Sequence, residues 1–146
     1  MPTAPKRTIL FVLTTAEERG LLGAQYYVRN PLYPLDKTVL NINVDGLNMW
    51  GRTRDVELSG MGKSSADDIV ATVAEKQGRA VRPDSNVDYG SYYRGDQFEF
   101  ARAGVPVIYL RSSANYIGKP AAYGKEKLQH YTAQLYHTVN DTVQPK

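Results

Sequence analysis

The chain has 146 residues, 42% of them hydrophobic, with 18 basic against 15 acidic side chains, a net charge of +3 and no cysteine. That length supports a single domain with its own core, and the lack of cysteine excludes disulfides and thiolate-held metals, leaving His, Asp and Glu as possible ligands. The basic residues are scattered, which argues against nucleic acid as a partner; no apolar run approaches a membrane span, and Met1–Arg7 is not followed by a signal-peptide cleavage pattern.

In chain order, the apolar run Ile9-Leu10-Phe11-Val12-Leu13 predicts a strand over Thr8–Leu13 buried on both faces. A helix is expected from about Ala16 to Arg29, ended by Asn30-Pro31 because proline disfavours helix in the residue before it. Glu17 and Glu18 then stand at the carboxyl end of a buried strand, where open α/β sheets build their sites. The same residues admit a plainer reading. Thr15-Ala16-Glu17-Glu18 fits a capping box, in which Glu18 only bonds back to the Thr15 amide, and carboxylates are favoured in any first helical turn.

After a connector over Pro31–Lys37, the segment Thr38–Val44 predicts a second strand, delivering Asp45-Gly46. A right-handed βαβ crossover would place Glu17, Glu18 and Asp45 on one sheet edge. Val56–Ser59 reads as a short strand and Lys63–Gly78 as a helix with Ile69, Val70, Val73 and Ala74 inward. Between them, Gly60-Met61-Gly62-Lys63-Ser64 imitates a phosphate-binding loop, but the required first glycine falls at Glu57, so it reads as a strand-to-helix turn. Residues 82–86 read as loop, and Tyr89–Asp96 as an aromatic, glycine-rich loop that either faces a substrate or packs on itself. A short helix over Gln97–Ala103, closed by Gly104, precedes a buried strand over Val105–Leu110. A helical turn is expected from Lys125, with His137 in an extended segment before Asp141. The order of elements predicts an α/β fold: a three-layer mixed, mainly parallel sheet flanked by helices.

Only two histidines exist, His130 and His137. On one helix their seven-residue separation would be about 10 Å, too far to share a metal. His130 reads as an exposed helical residue, whereas His137 has carboxylates available as co-ligands.

Four motifs occur in order: Thr15–Gly23, Asn43-Val44-Asp45-Gly46, Asp96-Gln97-Phe98 with Ala103–Pro106, and Tyr136-His137-Thr138 with Asp141. Together they resemble the M28 family of zinc-dependent exopeptidases over essentially the whole chain. The resemblance implies that Glu17 is the general base, that Glu18 and His137 hold one zinc, and that Asp45 holds the second. It further implies an oxyanion donor role for Tyr136 and a substrate-side position for Tyr93, Asp96 and Gln97, with a peptide as substrate; many relatives carry histidine where this chain has Gln97.

The family also uses a histidine and a bridging aspartate upstream of the Glu-Glu pair, and Met1–Leu13 contains neither. The chain is therefore expected to be a partial catalytic domain, an internal piece over residues 1–146. It should bind one zinc or none, at Glu18 and His137, in place of two, with exposed sheet edges open to self-association. The resemblance suggests a secreted or periplasmic setting. The alternative is an inactive remnant serving as an interaction module; a nucleotide-binding domain has only Gly62-Lys63-Ser64 in its favour.

Overall fold

A computed structural model describes residues 3–85 and 87–143. Met1 and Pro2 of the lead, Asn86 of the expected 82–86 loop, and residues 144–146 lie outside the described residues. The regular elements are α1 (Leu22–Arg29), β1 (Asn41–Asn43), β2 (Asp55–Ser59), α2 (Asp67–Lys76), β3 (Ala80–Pro83), α3 (Gln97–Arg102), β4 (Val107–Arg111) and α4 (Tyr123–Gln134). Short 3₁₀ turns at Glu17–Arg19, Leu35–Lys37, Val87–Tyr89 and Ser91–Tyr93 join them. None of the described helices is long and apolar enough to cross a membrane.

The four strands form one sheet in the order β1-β4-β2-β3. β1 runs parallel to β4 with Ile42 opposite Ile108, β2 runs parallel to β3, and β2 runs antiparallel to β4 with Leu58 opposite Leu110. The fold is thus the mixed, mainly parallel α/β sheet that the sequence predicts. β4 is central because Val107, Ile108 and Tyr109 are buried and can pack on both sides. Alternation sends Val107 and Ile108 to opposite faces. Val107 joins Leu21, Ala24, Phe100 and Val105 under α1 and α3, where the Tyr27 and Phe100 rings lie 5.5 Å apart. Ile108 joins Leu58, Ala66 and Val70 under α2. Each fully buried side chain of this size contributes about 1.5–3 kcal/mol.

Several expectations are corrected. Residues 8–13 form no strand: Ile9, Leu10, Phe11, Val12 and Leu13 are 56%, 41%, 83%, 41% and 93% exposed. An apolar run records a tendency to be buried, not the presence of a neighbour that buries it. The helix expected from Ala16 begins only at Leu22, after a separate turn at Glu17–Arg19. On α2, Val70 and Ala74 are inward as expected, but Ile69 and Val73 are exposed. They line an apolar groove of about 240 Å³ with Leu40, Ile42, Ile108 and Leu110. Residues 80–83, in part assigned to loop, pair as β3; an edge strand tolerates Arg82 and Pro83, which mask its pattern. His137 lies in a turn rather than an extended segment.

Candidate active site

Glu17 and Glu18 occupy a 3₁₀ turn set between two left-handed pivots, Ala16 (φ 55°) and Leu21 (φ 60°). The Gly20 and Leu21 amides both donate to the Glu17 carbonyl, at 3.0 and 2.9 Å, and the Gly23 amide donates to the Thr15 carbonyl at 2.9 Å. Gly23 is needed there: a Cβ would stand 2.5 Å from the Thr15 nitrogen and 2.6 Å from its oxygen. The capping box does not form. Ala16 occupies the N-cap with no side-chain cap bond, and Glu18 turns elsewhere.

It turns to His137, whose Nε2 lies 2.7 Å from Glu18 Oε1. His137 is also left-handed, at φ 57°, and its ring stacks on Tyr136 with centroids 3.8 Å apart. Ala16, Leu21 and His137 are the non-glycine residues with positive φ among the described residues. Such backbone costs of order 1–3 kcal/mol per residue and persists where surrounding structure enforces it, often at functional sites.

Asp45 follows β1 by two residues and is exposed. Its Oδ2 accepts a bond from the Tyr109 hydroxyl at 3.4 Å, which in turn accepts one from Arg111 at 3.0 Å. Ser112 holds the next turn by donating to the Gly46 carbonyl at 2.9 Å. Thr14 donates to Asp96 Oδ2 at 2.5 Å, while the other Asp96 oxygen is buried with no hydrogen-bond partner. Gln97 is fully buried; its amide nitrogen donates to the Tyr92 carbonyl at 2.8 Å and its oxygen accepts from Asn43 at 3.0 Å. It ties α3 to β1 and the 91–93 turn rather than standing open with the others. Tyr93 is exposed and edges against Phe98, with centroids 5.1 Å apart.

The electrostatics show which groups share one field. Burial pushes the Glu17 carboxyl above its usual range, the charges of Glu18, Asp45 and Asp96 push it further, and His137 opposes them. The Tyr136 phenol is raised by burial and then by Glu18, Asp45 and Glu17, which keeps it protonated and able to donate. So the charges of Glu18, Asp45, Asp96 and His137 act on Glu17, and those of Glu18, Asp45 and Glu17 act on Tyr136. His130 does not join them; it is exposed along α4. For zinc, the Glu18 and His137 donors fit in kind but fall short in number. No three of His, Cys, Asp or Glu among the described residues group closely enough to hold an ion, whereas a catalytic zinc takes three protein ligands.

Sequence reasoning missed Thr14, Tyr109 and Arg111. The signal for Tyr109 was present, since a phenol in an otherwise aliphatic buried strand needs a partner for its hydroxyl.

The pattern of peptidase family M28 matches residues 1–145. A vacuolar membrane protease of Phaeosphaeria nodorum is 27% identical over 119 residues, covering 77% of this chain and 12% of that protein. The chain thus spans about an eighth of the length of that relative.

Proposed function

The chain belongs to peptidase family M28, and on that premise we propose that it carries catalytic machinery of a zinc-dependent, aminopeptidase-type exopeptidase acting on amino-terminal peptide bonds. The observation that carries this reading is the 2.7 Å contact between Glu18 and His137 across 119 residues of sequence, with Glu17 beside it in a turn flanked by left-handed Ala16 and Leu21. A surface ion pair would not need strained backbone on both sides.

Glu17 is the general base. Its raised carboxyl holds a proton more firmly than an ordinary glutamate, which suits it to take one from water and return it to the leaving amine. Tyr136, kept protonated, would donate to the oxyanion as the carbonyl becomes tetrahedral, a role its raised phenol supports. Asp45 and Asp96 add negative charge that would hold a peptide's free ammonium group, and Tyr93 offers an exposed ring to the terminal side chain. Zinc, when bound, would acidify the water and polarise the carbonyl. Glu18 and His137 would supply two of its donors, with Asp45 assigned by resemblance to a second ion.

Elemental analysis of the chelator-stripped, zinc-reloaded chain tests this, with Glu18→Ala and His137→Ala alongside. Stoichiometric zinc lost in both variants supports the reading. A parent chain without zinc contradicts it and leaves the inactive interaction module.

A further inference from the structure

His137 must be held in space by something other than its own turn. That turn is fixed to the end of α4: the Leu135 and Tyr136 amides both donate to the Tyr131 carbonyl at 2.9 Å, and Thr138 bonds the Gln134 and Leu135 carbonyls at 3.0 and 2.8 Å. Wherever α4 points, His137 follows. Yet α4 buries only Gly124, near its start, where a Cβ would strike the Ala114 backbone. Tyr123 adds a ring contact with Tyr116 at 5.4 Å at this same end. Ten residues at 1.5 Å separate Gly124 from Gln134, so a tilt of about 10° at this pivot displaces the far end by roughly 2.5 Å. That displacement is enough to break a 2.7 Å contact with Glu18.

A strut from another part of the fold meets the far end. Trp50, the single tryptophan, lies on the loop five residues beyond Asp45. Its ring meets Tyr131 edge-on at 6.1 Å; Tyr131 packs on Tyr136 at 5.7 Å, and Tyr136 stacks on His137. A second contact, with Tyr116 at 6.4 Å, braces Trp50 against the pivot end of α4. Edge-on aromatic pairs of this kind are directional as well as apolar.

We propose that Trp50 is a positioning residue: it braces α4 through Tyr131 and so sets His137 against Glu18, tying it to the loop that carries Asp45. The role assigned to His137 rests on the function proposed above; the bracing itself does not.

The test is proton NMR of the full chain, read as nuclear Overhauser cross-peaks between the His137 ring and the Glu18 side chain, which the 2.7 Å contact brings together. The stack of His137 on Tyr136 is internal to the turn and travels with α4, so its upfield ring-current shift should persist in Trp50→Leu and marks an intact turn. Trp50→Leu is expected to weaken the His137–Glu18 cross-peaks severalfold, Tyr131→Leu should do the same, and Trp50→Phe should largely restore them. If Trp50→Leu does not fold, Tyr131→Leu and Trp50→Phe carry the comparison. Absent cross-peaks in the parent, or undiminished ones in a folded Trp50→Leu or Tyr131→Leu chain, overturn the proposal. The readout needs neither zinc nor turnover, so an inactive chain with the expected loss of cross-peaks would contradict the proposed function and leave the brace standing.

Discussion

Glu18 and His137 meet at 2.7 Å although 119 residues part them in sequence, and both partners are largely exposed, with side chains 66% and 53% accessible. A contact so open to water contributes little to stability, at most about 1 kcal/mol. Its value lies in bringing a carboxylate and an imidazole to one point beside Glu17.

Gly23→Ala should destabilise the chain and disturb that point. Helix propensity alone would favour alanine by about 1 kcal/mol. The added Cβ, however, would stand 2.5 Å from the Thr15 nitrogen, and backbone cannot step aside as a side chain can. A net loss of about 1–3 kcal/mol is expected by urea unfolding. A stabilised variant would show that α1 does not rest on the Thr14–Thr15 backbone.

Asp55 should govern acid stability. Burial alone would push its carboxyl up, but hydrogen bonds from Ser113, Arg82 and Asn115, with the Arg82 charge, outweigh burial and hold it below the usual range. Below the ordinary value of 3.8 the unfolded chain takes up the proton first, so stability is fully present above that value and is lost as pH falls through the folded one. Asp55→Asn should cost about 1–3 kcal/mol at neutral pH and flatten the loss of stability between pH 4 and the acid end, read by thermal unfolding. A variant with the parent's pH slope would contradict this assignment.

Activity should depend on Glu17 being ionised. Its raised carboxyl puts the acid limb of kcat/KM above the ordinary glutamate value of 4.5, with activity rising as pH rises through it. Asp96→Asn removes one of the negative charges that raise Glu17, so the limb should move to lower pH. A shift to higher pH would show that Asp96 does not act on Glu17 through its charge.

The surface predicts self-association. The chain exposes 10861 Å² at 16.3 kDa, against roughly 7,500 Å² for a folded monomer of that mass. Exposed apolar side chains include all five of Ile9–Leu13 and, on the edge strand β1, Ile42, which is 57% exposed. Sedimentation should show concentration-dependent oligomers, reduced by Phe11→Asp with Leu13→Asp. A parent chain that stays monomeric would contradict this.

The elements legible in the sequence were those with a local cause. β4 declared itself by unbroken apolar residues, α3 by its closing Gly104, and α2 by its period, though its ends fell at Asp67 and Lys76 rather than Lys63 and Gly78. The strand expected over Thr8–Leu13 was not legible in this way, because a strand exists only with its partner. β3 was hidden since edge position excuses Arg82 and Pro83 from the usual pattern. Among the site residues expected from the order of motifs, the structure brings Glu18 and His137 into direct contact, with Tyr136 stacked on the imidazole. The order of motifs could not reveal that Ala16, Leu21 and His137 adopt left-handed backbone, since nothing in Ala, Leu or His signals it. Nor could it show Gln97 turned inward to Asn43 and Tyr92, a matter of tertiary contact alone.

Hydrolysis of an aminoacyl-p-nitroanilide by the zinc-reloaded chain and by Glu17→Gln reads the proposed chemistry itself. Because the folded state holds the Glu17 proton more tightly than the unfolded chain, its charge opposes folding at neutral pH, so the variant should fold at least as well as the parent. Measurable, chelator-sensitive turnover is expected in the parent, with a fall of about 10²–10⁴-fold in the variant and its melting temperature kept. No turnover by the reloaded parent, or equal turnover by Glu17→Gln, would contradict that chemistry.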